Sequence, residues 1–143
     1  MPKLVQYIDA IARQKQRGVL YVRFHSKGDR SFNYLGHDSS YKWETDKQRK
    51  SFCKWLDKNN ISWQCCGDIA NENYMMSYQG HIYLDVPFDE NNPLYVLLRD
   101  YLETPDGNMR FETMTFCYLS LEQAMKNAHH DEPDFWEKWA ETF

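Results

Sequence analysis

Apolar side chains recur at helical spacing at the start of the chain. Gly18 follows them after a basic stretch, as the end of a helix requires, so the pattern predicts a helix over residues 3–16. Residues 19–25 are rich in β-branched and aromatic side chains and predict a strand. A long polar segment, 26–43, comes next. The apolar face of the helix consists of Leu4, Ile8, Ile11 and Ala12.

A capping-box pattern begins the second predicted helix. Thr45 is followed three residues later by Gln48, whose side chain can return to the first backbone N–H. Apolar residues then recur at helical spacing, and Asn59 ends the helix. Residues 61–66 predict a short strand, and a polar connection, 67–79, follows it.

The clearest strand alternates between apolar and polar side chains over residues 81–88. Asn92 then caps a helix that has Pro93 at its first position and an apolar stripe along one face. That helix ends at the turn residues 104–107, and residues 109–119 predict a long strand. The apolar side of the alternating strand consists of Ile82, Leu84, Val86 and Phe88.

Two helices are predicted after the last strand. Ser120 and Gln123 repeat the capping box and begin a helix that extends to about residue 128. A final helix extends from Pro133 to about residue 142. Its aromatic face consists of Phe135, Trp136, Trp139 and Phe143.

The order of these elements predicts an α+β, ferredoxin-like fold. Strands separated by a helix need a crossover connection, whereas the second and third strands have no helix between them and can be antiparallel. The string β-α-β-β-α-β is the split βαβ arrangement, with an extra N-terminal helix and one or two C-terminal helices added. We expect one domain over residues 1–143, because a chain of about 150 residues buries roughly 70% of its unfolded surface.

This fold places the first and third strands side by side. We expect the crossover helices to cover one sheet face and the opposite face to be open, with cross-strand neighbours about 5 Å apart. Such a face is a binding or acid/base site, unless the terminal helices, above all the aromatic one at 133–142, pack over it. The side chains expected on the open face are Tyr21, Arg23, His25, His81, Tyr83 and Asp85.

The charges of the chain are unevenly distributed. Residues 1–70 contain 13 Lys and Arg against 7 Asp and Glu, whereas residues 71–143 contain 4 against 14. An acidic half with exposed aromatic side chains is typical of an anchor-and-rim surface for a basic protein partner. The candidate acidic patch comprises Asp131, Glu132, Asp134, Glu137, Trp136 and Trp139.

The preferred functional hypothesis is therefore a non-enzymatic protein-binding module. Small acidic proteins can occupy the basic surface of a nucleic-acid-handling protein by electrostatic attraction. The specific version is an inhibitor or regulator of such a partner, of the anti-defence kind that phages and mobile elements encode. It follows from the charge, the size and the lack of catalytic motifs.

An RNA- or single-stranded-DNA-binding domain is the second hypothesis. RNA-recognition sheets stack bases on aromatic side chains of strands one and three, where this chain has Tyr21 and Tyr83. The RNP pattern is absent, and Asp85 would repel phosphate. The basic side of the second helix either faces solvent or contacts phosphates. Its basic residues are Lys47, Arg49, Lys50, Lys54 and Lys58.

A small acid/base enzyme is the third hypothesis. His25, His81 and Asp85 have the residue types of a carboxylate that orients an imidazole. The sequence contains no phosphate-binding loop, nucleophile elbow, dinucleotide fingerprint or zinc-protease motif. We therefore assign no catalytic residue and favour a binding protein over an enzyme.

The remaining patterns predict no cofactor, no metal and no membrane contact. The four cysteines, among them the adjacent Cys65 and Cys66, lack the paired spacing of disulfide frameworks or zinc sites and predict core packing. The segment 129–134 follows no known ligand spacing and predicts a solvated turn. No signal segment and no run of about 20 apolar residues occurs, so we expect a soluble, cytoplasmic protein with reduced thiols.

Overall fold

Five strands and five α-helices make up the described part of the chain, residues 5–26, 41–71 and 78–141 of a computed structural model. Most of the polar segment 26–43 and part of the connection 67–79 lie outside these residues. The strands are β1 (Gln6–Tyr7), β2 (Val19–Phe24), β3 (Trp63–Gly67), β4 (Ile82–Leu84) and β5 (Met114–Leu119). The helices are α1 (Ile8–Lys15), α2 (Lys47–Lys58), α3 (Pro93–Leu102), α4 (Leu121–Met125) and α5 (Phe135–Glu141), with 3₁₀ turns at Trp43–Thr45 and Ala128–Asp131.

The strands form one mixed sheet in the order β1-β3-β4-β2-β5. The predicted antiparallel pairing of the first and third expected strands is confirmed, since Tyr21 of β2 lies opposite Tyr83 of β4. β2 also pairs antiparallel with β5, and β3 pairs antiparallel with β4. At the edge, β1 runs parallel to β3, with Tyr7 opposite Gly67. The structure thus shows an α+β fold whose sheet is mixed.

The N-terminal segment differs from the prediction. Gln6 and Tyr7, which the sequence pattern assigned to the first helix, are strand residues, because their backbone pairs with Cys66 and Gly67. The helix begins at Ile8. A two-residue strand has no alternation from which it can be predicted.

Helix starts follow the predicted capping chemistry with one shift. Asn92 accepts from the first turn of α3 and Ser120 from that of α4, as expected. The cap of α2 is Asp46, one residue after the predicted Thr45, and its carboxylate accepts the backbone N–H groups of Gln48 and Arg49. A carboxylate at this position also interacts favourably with the helix dipole.

One sheet face packs against the crossover helices α2 and α3. The alternating apolar side chains of β2 and β4 enter this core, as the sequence pattern predicts, and are joined by apolar side chains of both helices. Burial of a single side chain of this size stabilises the fold by roughly 1.5–3 kcal/mol. The principal members are Leu20, Val22, Phe24, Phe52, Leu56, Ile82, Leu84, Leu98 and Leu102.

The opposite sheet face is covered by terminal helices, the alternative that the sequence analysis set against an open binding face. α1 and α4 pack over it through Ile8, Ile11 and Ala124. The aromatic helix α5 is not the cover, since Trp136 instead contacts Tyr7 at 5.6 Å between ring centroids. Of the six side chains expected on this face, four are buried: Tyr21, His25, His81 and Tyr83.

A buried carboxylate fixes α1 against the rest of the molecule. Asp9 is fully buried, and its Oδ2 accepts a hydrogen bond from Nη1 of Arg13 at 2.8 Å. The backbone N–H of Ala70 donates to Oδ1 at 2.8 Å, and Nδ2 of Asn127 donates to Oδ2 at 3.1 Å. Three donors from three separate segments therefore compensate the desolvation of one charge.

The guanidinium of Arg13 extends the same network to the C-terminal segment. Its Nε and Nη2 donate to the two carboxylate oxygens of Asp131 at 2.7 and 2.9 Å, and Nη1 also donates to the carbonyl of Ala124 at 2.9 Å. Such a two-pronged contact is stronger than a single hydrogen bond and fixes orientation. Because Asp131 belongs to this network, its carboxylate contributes to the fold.

We predict that Asp9→Ala lowers the free energy of unfolding by about 3–5 kcal/mol, because it removes the buried acceptor shared by Arg13, Ala70 and Asn127. Urea denaturation followed by circular dichroism measures the loss. Asp100→Ala is the matched control, since Asp100 is exposed and pairs only with Arg99 at the surface, a contact worth at most about 1 kcal/mol. Equal losses in the two variants would contradict the role of the network.

A second prediction concerns acid stability. The hydrogen bonds from Arg13 lower the pKa of the Asp131 carboxyl. A lowered folded-state pKa contributes stability above the unfolded pKa, and this contribution is lost as the pH falls through the folded value. We therefore expect Asp131→Asn to be less stable than wild type near neutral pH and the difference to shrink between about pH 5 and pH 2. Urea titrations across this range, with Glu132→Gln as control, test it; a pH-independent difference argues against it.

Candidate functional site

A small cavity lies where β1, the end of β3 and the residues before β4 meet, and its volume is about 90 Å³. Tyr7 forms one wall, because it lies opposite Gly67 in the sheet. A Cβ atom on Gly67 would stand 3.0 Å from Cδ1 of Tyr7, so the glycine permits the close approach of the ring. The lining includes Tyr7, Gly67, Asp68, Tyr78, Gln79 and His81.

Asp68 is the charged group of the cavity. Nε of Arg23 lies 3.0 Å from Oδ1, and Nη2 donates to Oδ2 at 3.2 Å. Nε2 of His81 lies 3.3 Å from Oδ2. Burial alone would raise the pKa of Asp68, but the contacts with His81 and Arg23 outweigh it and lower the pKa. Asp68 is therefore a carboxylate at neutral pH, balanced by the guanidinium of Arg23.

His81 has a defined tautomer in its neutral form. Its Nδ1 accepts the backbone N–H of Phe24 at 3.0 Å, so the ring proton of the neutral imidazole is on Nε2. That N–H faces Asp68, but the approach does not satisfy hydrogen-bond geometry with any described residue. His81 thus presents a donor beside the carboxylate, and its acceptor nitrogen is already used.

The three residues of the enzyme hypothesis have separate partners. His25 contacts Thr115 through Nε2 at 2.9 Å. Asp85 accepts from Arg17 at 2.8 Å and lies at the opposite end of β4 from His81, which faces Asp68. The lining of the cavity includes His81 but neither His25 nor Asp85. The antiparallel pairing of the two strands led us to expect Tyr21 or Arg23 near Asp85, whereas its carboxylate pairs with Arg17.

The aromatic pair of the RNA-binding hypothesis is not a stacking platform. Tyr21 and Tyr83 lie opposite each other on the covered face, within the cluster that contains Ile8 and Ile11 of α1. Burial raises the pKa of Tyr21, and it raises the pKa of Tyr83 to about 12. Both hydroxyls therefore stay neutral, and α1 occupies the space that a base would need.

Sequence reasoning found Arg23 and His81 but missed Asp68. This residue stands in the polar connection 67–79, directly after β3, where the sequence pattern indicated only a loop. The available signal was the Gly67-Asp68 pair at the end of a strand, since a glycine there permits close packing beside a polar group. The pattern does not show that Arg23 and His81 face this position, because that depends on strand order.

The lysines of the basic helix are exposed, whereas Arg49 is buried and does not belong to its solvated face. The guanidinium of Arg49 is buried, donates to the carbonyl of Gly80 at 2.8 Å and lies 4.8 Å from the ring of Trp43. It also donates to the hydroxyl of Tyr78 at 3.1 Å. The exposed residues recur at intervals of three and four and form a lysine stripe along α2: Lys47, Lys50, Lys54 and Lys58.

The candidate acidic patch is divided between structural and exposed side chains. Asp131 belongs to the network of Arg13, whereas Trp136 packs against His130 with 4.7 Å between ring centroids. Trp139 is half-buried beside Trp136. The acidic residues of this segment whose side chains are exposed without belonging to that network are Glu132, Asp134 and Glu137.

Exposed apolar side chains gather elsewhere in the acidic half. Phe88 is 50% exposed and Tyr118 is 48% exposed, and their ring centroids are 4.8 Å apart. Phe88 also stacks on Tyr95 at 5.2 Å. Leu94 and Leu97 stand one turn apart on the outer side of α3 and are also exposed. We call Phe88, Leu94, Leu97 and Tyr118 the apolar patch.

The alternating pattern places Phe88 on the same side of the strand as Ile82, Leu84 and Val86. β4 ends at Leu84, however, and Pro87 precedes Phe88, so the alternation no longer follows a paired strand. α3 likewise has two apolar sides, with Leu98 in the core and Leu97 exposed. These exposed apolar side chains contribute little to the buried core.

The described residues contain no cluster of three or more metal-ligating side chains. No helix among them is long and apolar enough to cross a membrane. The four cysteines are free, and burial raises the pKa of Cys66 well above its usual value and that of Cys117 to about 11. Comparison of the chain with protein-family models, with curated proteins and with solved structures finds no match.

Proposed function

We propose that this protein is a non-enzymatic protein-binding module that docks through the apolar patch. The observation that carries the proposal is the contact between Phe88 and Tyr118, two aromatic rings that pack together while each is about half exposed. Leu94 and Leu97 of α3 are also exposed, and Tyr95 of the same helix stacks on Phe88. Exposed apolar area of this kind is typical of protein interfaces, where aromatic side chains supply much of the binding energy.

The partner has an apolar pocket and a basic rim. Asp89 and Glu90 directly follow Phe88 and are exposed, so they lie at the margin of the apolar patch. Rim charges of this sign accelerate association with a basic surface and select against acidic partners. The partner class is a nucleic-acid-handling protein, and the module acts as its inhibitor or regulator, of the anti-defence type of phages and mobile elements.

The fold and the compartment belong to the same proposal. The four antiparallel strands, in the order β3-β4-β2-β5, form a ferredoxin-like unit with α2 and α3 on one face. β1, α1, α4 and α5 are additions to this unit, and α1 and α4 cover the other face. The four free cysteines fit a reducing compartment such as the cytoplasm.

We predict that the double variant Phe88→Ser with Leu97→Ser loses partner binding by about tenfold or more, because removing an apolar anchor costs 1–2 kcal/mol or more. Tagged wild type and variant are used to recover proteins from lysate of the native host. The recovered protein is identified by mass spectrometry and titrated in purified form. Met125→Ser is the matched control, since Met125 is 47% exposed but lies outside the apolar patch.

Two further outcomes locate the surface. If charge reversal of Glu132, Asp134 and Glu137 abolishes binding and the double variant does not, the acidic segment before and within α5 is the docking surface and the apolar patch is not. If wild type forms dimers in light scattering and the double variant is monomeric, the occupant of the patch is a second copy of this chain. Equal affinities of wild type and double variant would overturn the proposal.

The lysine stripe supports a second candidate function, the binding of single-stranded nucleic acid. Lys47, Lys50, Lys54 and Lys58 lie on one exposed side of α2, where they can contact successive phosphates. Asp57 is the acidic residue on the same helix, and it accepts a hydrogen bond from the indole of Trp63. This leaves the stripe with an excess of positive charge.

We predict that each lysine removed from the stripe reduces the salt dependence of binding by roughly one unit of slope. Fluorescence anisotropy with labelled single-stranded RNA and DNA at several salt concentrations compares wild type with Lys50→Gln and Lys54→Gln. Lys138→Gln, on the acidic side of the molecule, is the control. Absence of binding at low salt in the wild type would remove this candidate.

A further inference from the structure

We infer that the cavity beside Asp68 is a binding site for the hydrogen-bonding edge of a pyrimidine base. This inference goes beyond the protein-binding proposal, and it concerns a different part of the molecule from the apolar patch. It depends on the size of the cavity, the pairing of one donor with one acceptor, the local charge balance and the aromatic walls.

The size of the cavity fits a single ring. A site of this kind needs roughly 10–15 Å³ to hold one water, so about 90 Å³ accommodates about six or more waters, the space of one six-membered ring with its substituents. A drug-sized molecule would need a pocket of about 300 Å³ or more. The ligand group that enters is therefore small.

The polar groups present one acceptor and one donor side by side. Asp68 provides carboxylate oxygens, and His81 provides an Nε2–H that is 3.3 Å from them. His81 is only 1% exposed, and this N–H has no well-formed hydrogen bond to a described residue. The N–H is poorly aligned with its carboxylate neighbour, so a ligand carbonyl or ring nitrogen in the cavity would give it a better-formed hydrogen bond.

The charge balance favours a neutral ligand. Arg23 lies 3.0 Å from the Asp68 carboxylate and offsets its charge, so the cavity does not concentrate free cations or anions. A neutral group that fits must carry an N–H for Asp68 and an adjacent acceptor for His81. The Watson–Crick edges of uracil, thymine and cytosine have this arrangement in a single planar ring.

Two tyrosines line the cavity, and both are held by contacts within the protein. The hydroxyl of Tyr78 accepts from Arg49 at 3.1 Å and donates to the carbonyl of His81 at 2.9 Å. Tyr7 is held by its contact with Trp136 and by its close approach to Gly67. Aromatic faces bind nucleobases by stacking, and fixed side chains lose little conformational entropy on binding.

The test is titration of the full chain with uridine, with uridine monophosphate and with a short oligouridylate, followed by ¹H–¹⁵N NMR. We expect saturable shifts at the backbone amides of Gly67 and Asp68, and affinities for uridine that change less than about twofold between about 50 and 200 mM salt, since no phosphate is bound. Equal affinity for the three probes identifies the free base as sufficient, and tighter binding of the oligomer identifies a strand as the source.

Two variants make the inference falsifiable. Asp68→Asn replaces an acceptor oxygen with a donor, and Tyr7→Leu removes one ring while keeping apolar volume; each should weaken binding by about tenfold or more. Tyr101→Leu, at a half-buried tyrosine of α3 that packs against the core on the other sheet face, is the control and should leave the affinity unchanged. Tyr7→Leu keeps the test valid if Asp68→Asn does not fold. Absence of saturable binding, or binding that survives both variants, overturns the inference.

Discussion

The buried ion pair between Asp9 and Arg13 determines which surfaces of this molecule remain available. Removing two charges from water costs several kcal/mol per ion, so such a pair is tolerated only where further hydrogen bonds complete it. Here the donors to Asp9 come from α1, from Ala70 after β3 and from Asn127 after α4. The network therefore holds α1 in one position on the sheet. Because α1 lies there, Tyr21 and Tyr83 are covered by its apolar side chains.

Ion pairs within the protein neutralise part of the charge asymmetry of the chain. Arg13 pairs with Asp131, and Arg17 pairs with Asp85 at 2.8 Å, so basic residues of the N-terminal half neutralise acidic residues of the C-terminal half. The charge of Arg49 is likewise buried inside the fold. The counts of 13 against 7 and 4 against 14 overstate the charge that a partner meets. A docking surface is therefore better located from exposed apolar side chains than from charge totals.

Sequence reasoning succeeded where a pattern repeats locally and failed where a contact depends on distant segments. The amphipathic helices α2 and α3 and the alternation of β2 could be predicted, because each pattern is contained within its own element. β1 could not, because two residues have no period. The spacing of Asp9 and Arg13 indicates an ion pair within one helix. It does not show that Arg13 also pairs with Asp131, which is 118 positions away in the chain. Long-range partners of this kind decide whether a charged residue is surface or core.

The candidate site illustrates the same limit in its chemistry. His81 and Arg23 were predicted to share a face, and they do share a partner, but that partner is Asp68 and not Asp85. An aspartate beside a histidine has the composition of an acid/base pair. The backbone N–H of Phe24 occupies Nδ1 of His81, however, so the neutral ring has no free lone pair with which to accept a proton from a substrate. A histidine that can only donate recognises an acceptor, and this favours binding over catalysis at the cavity.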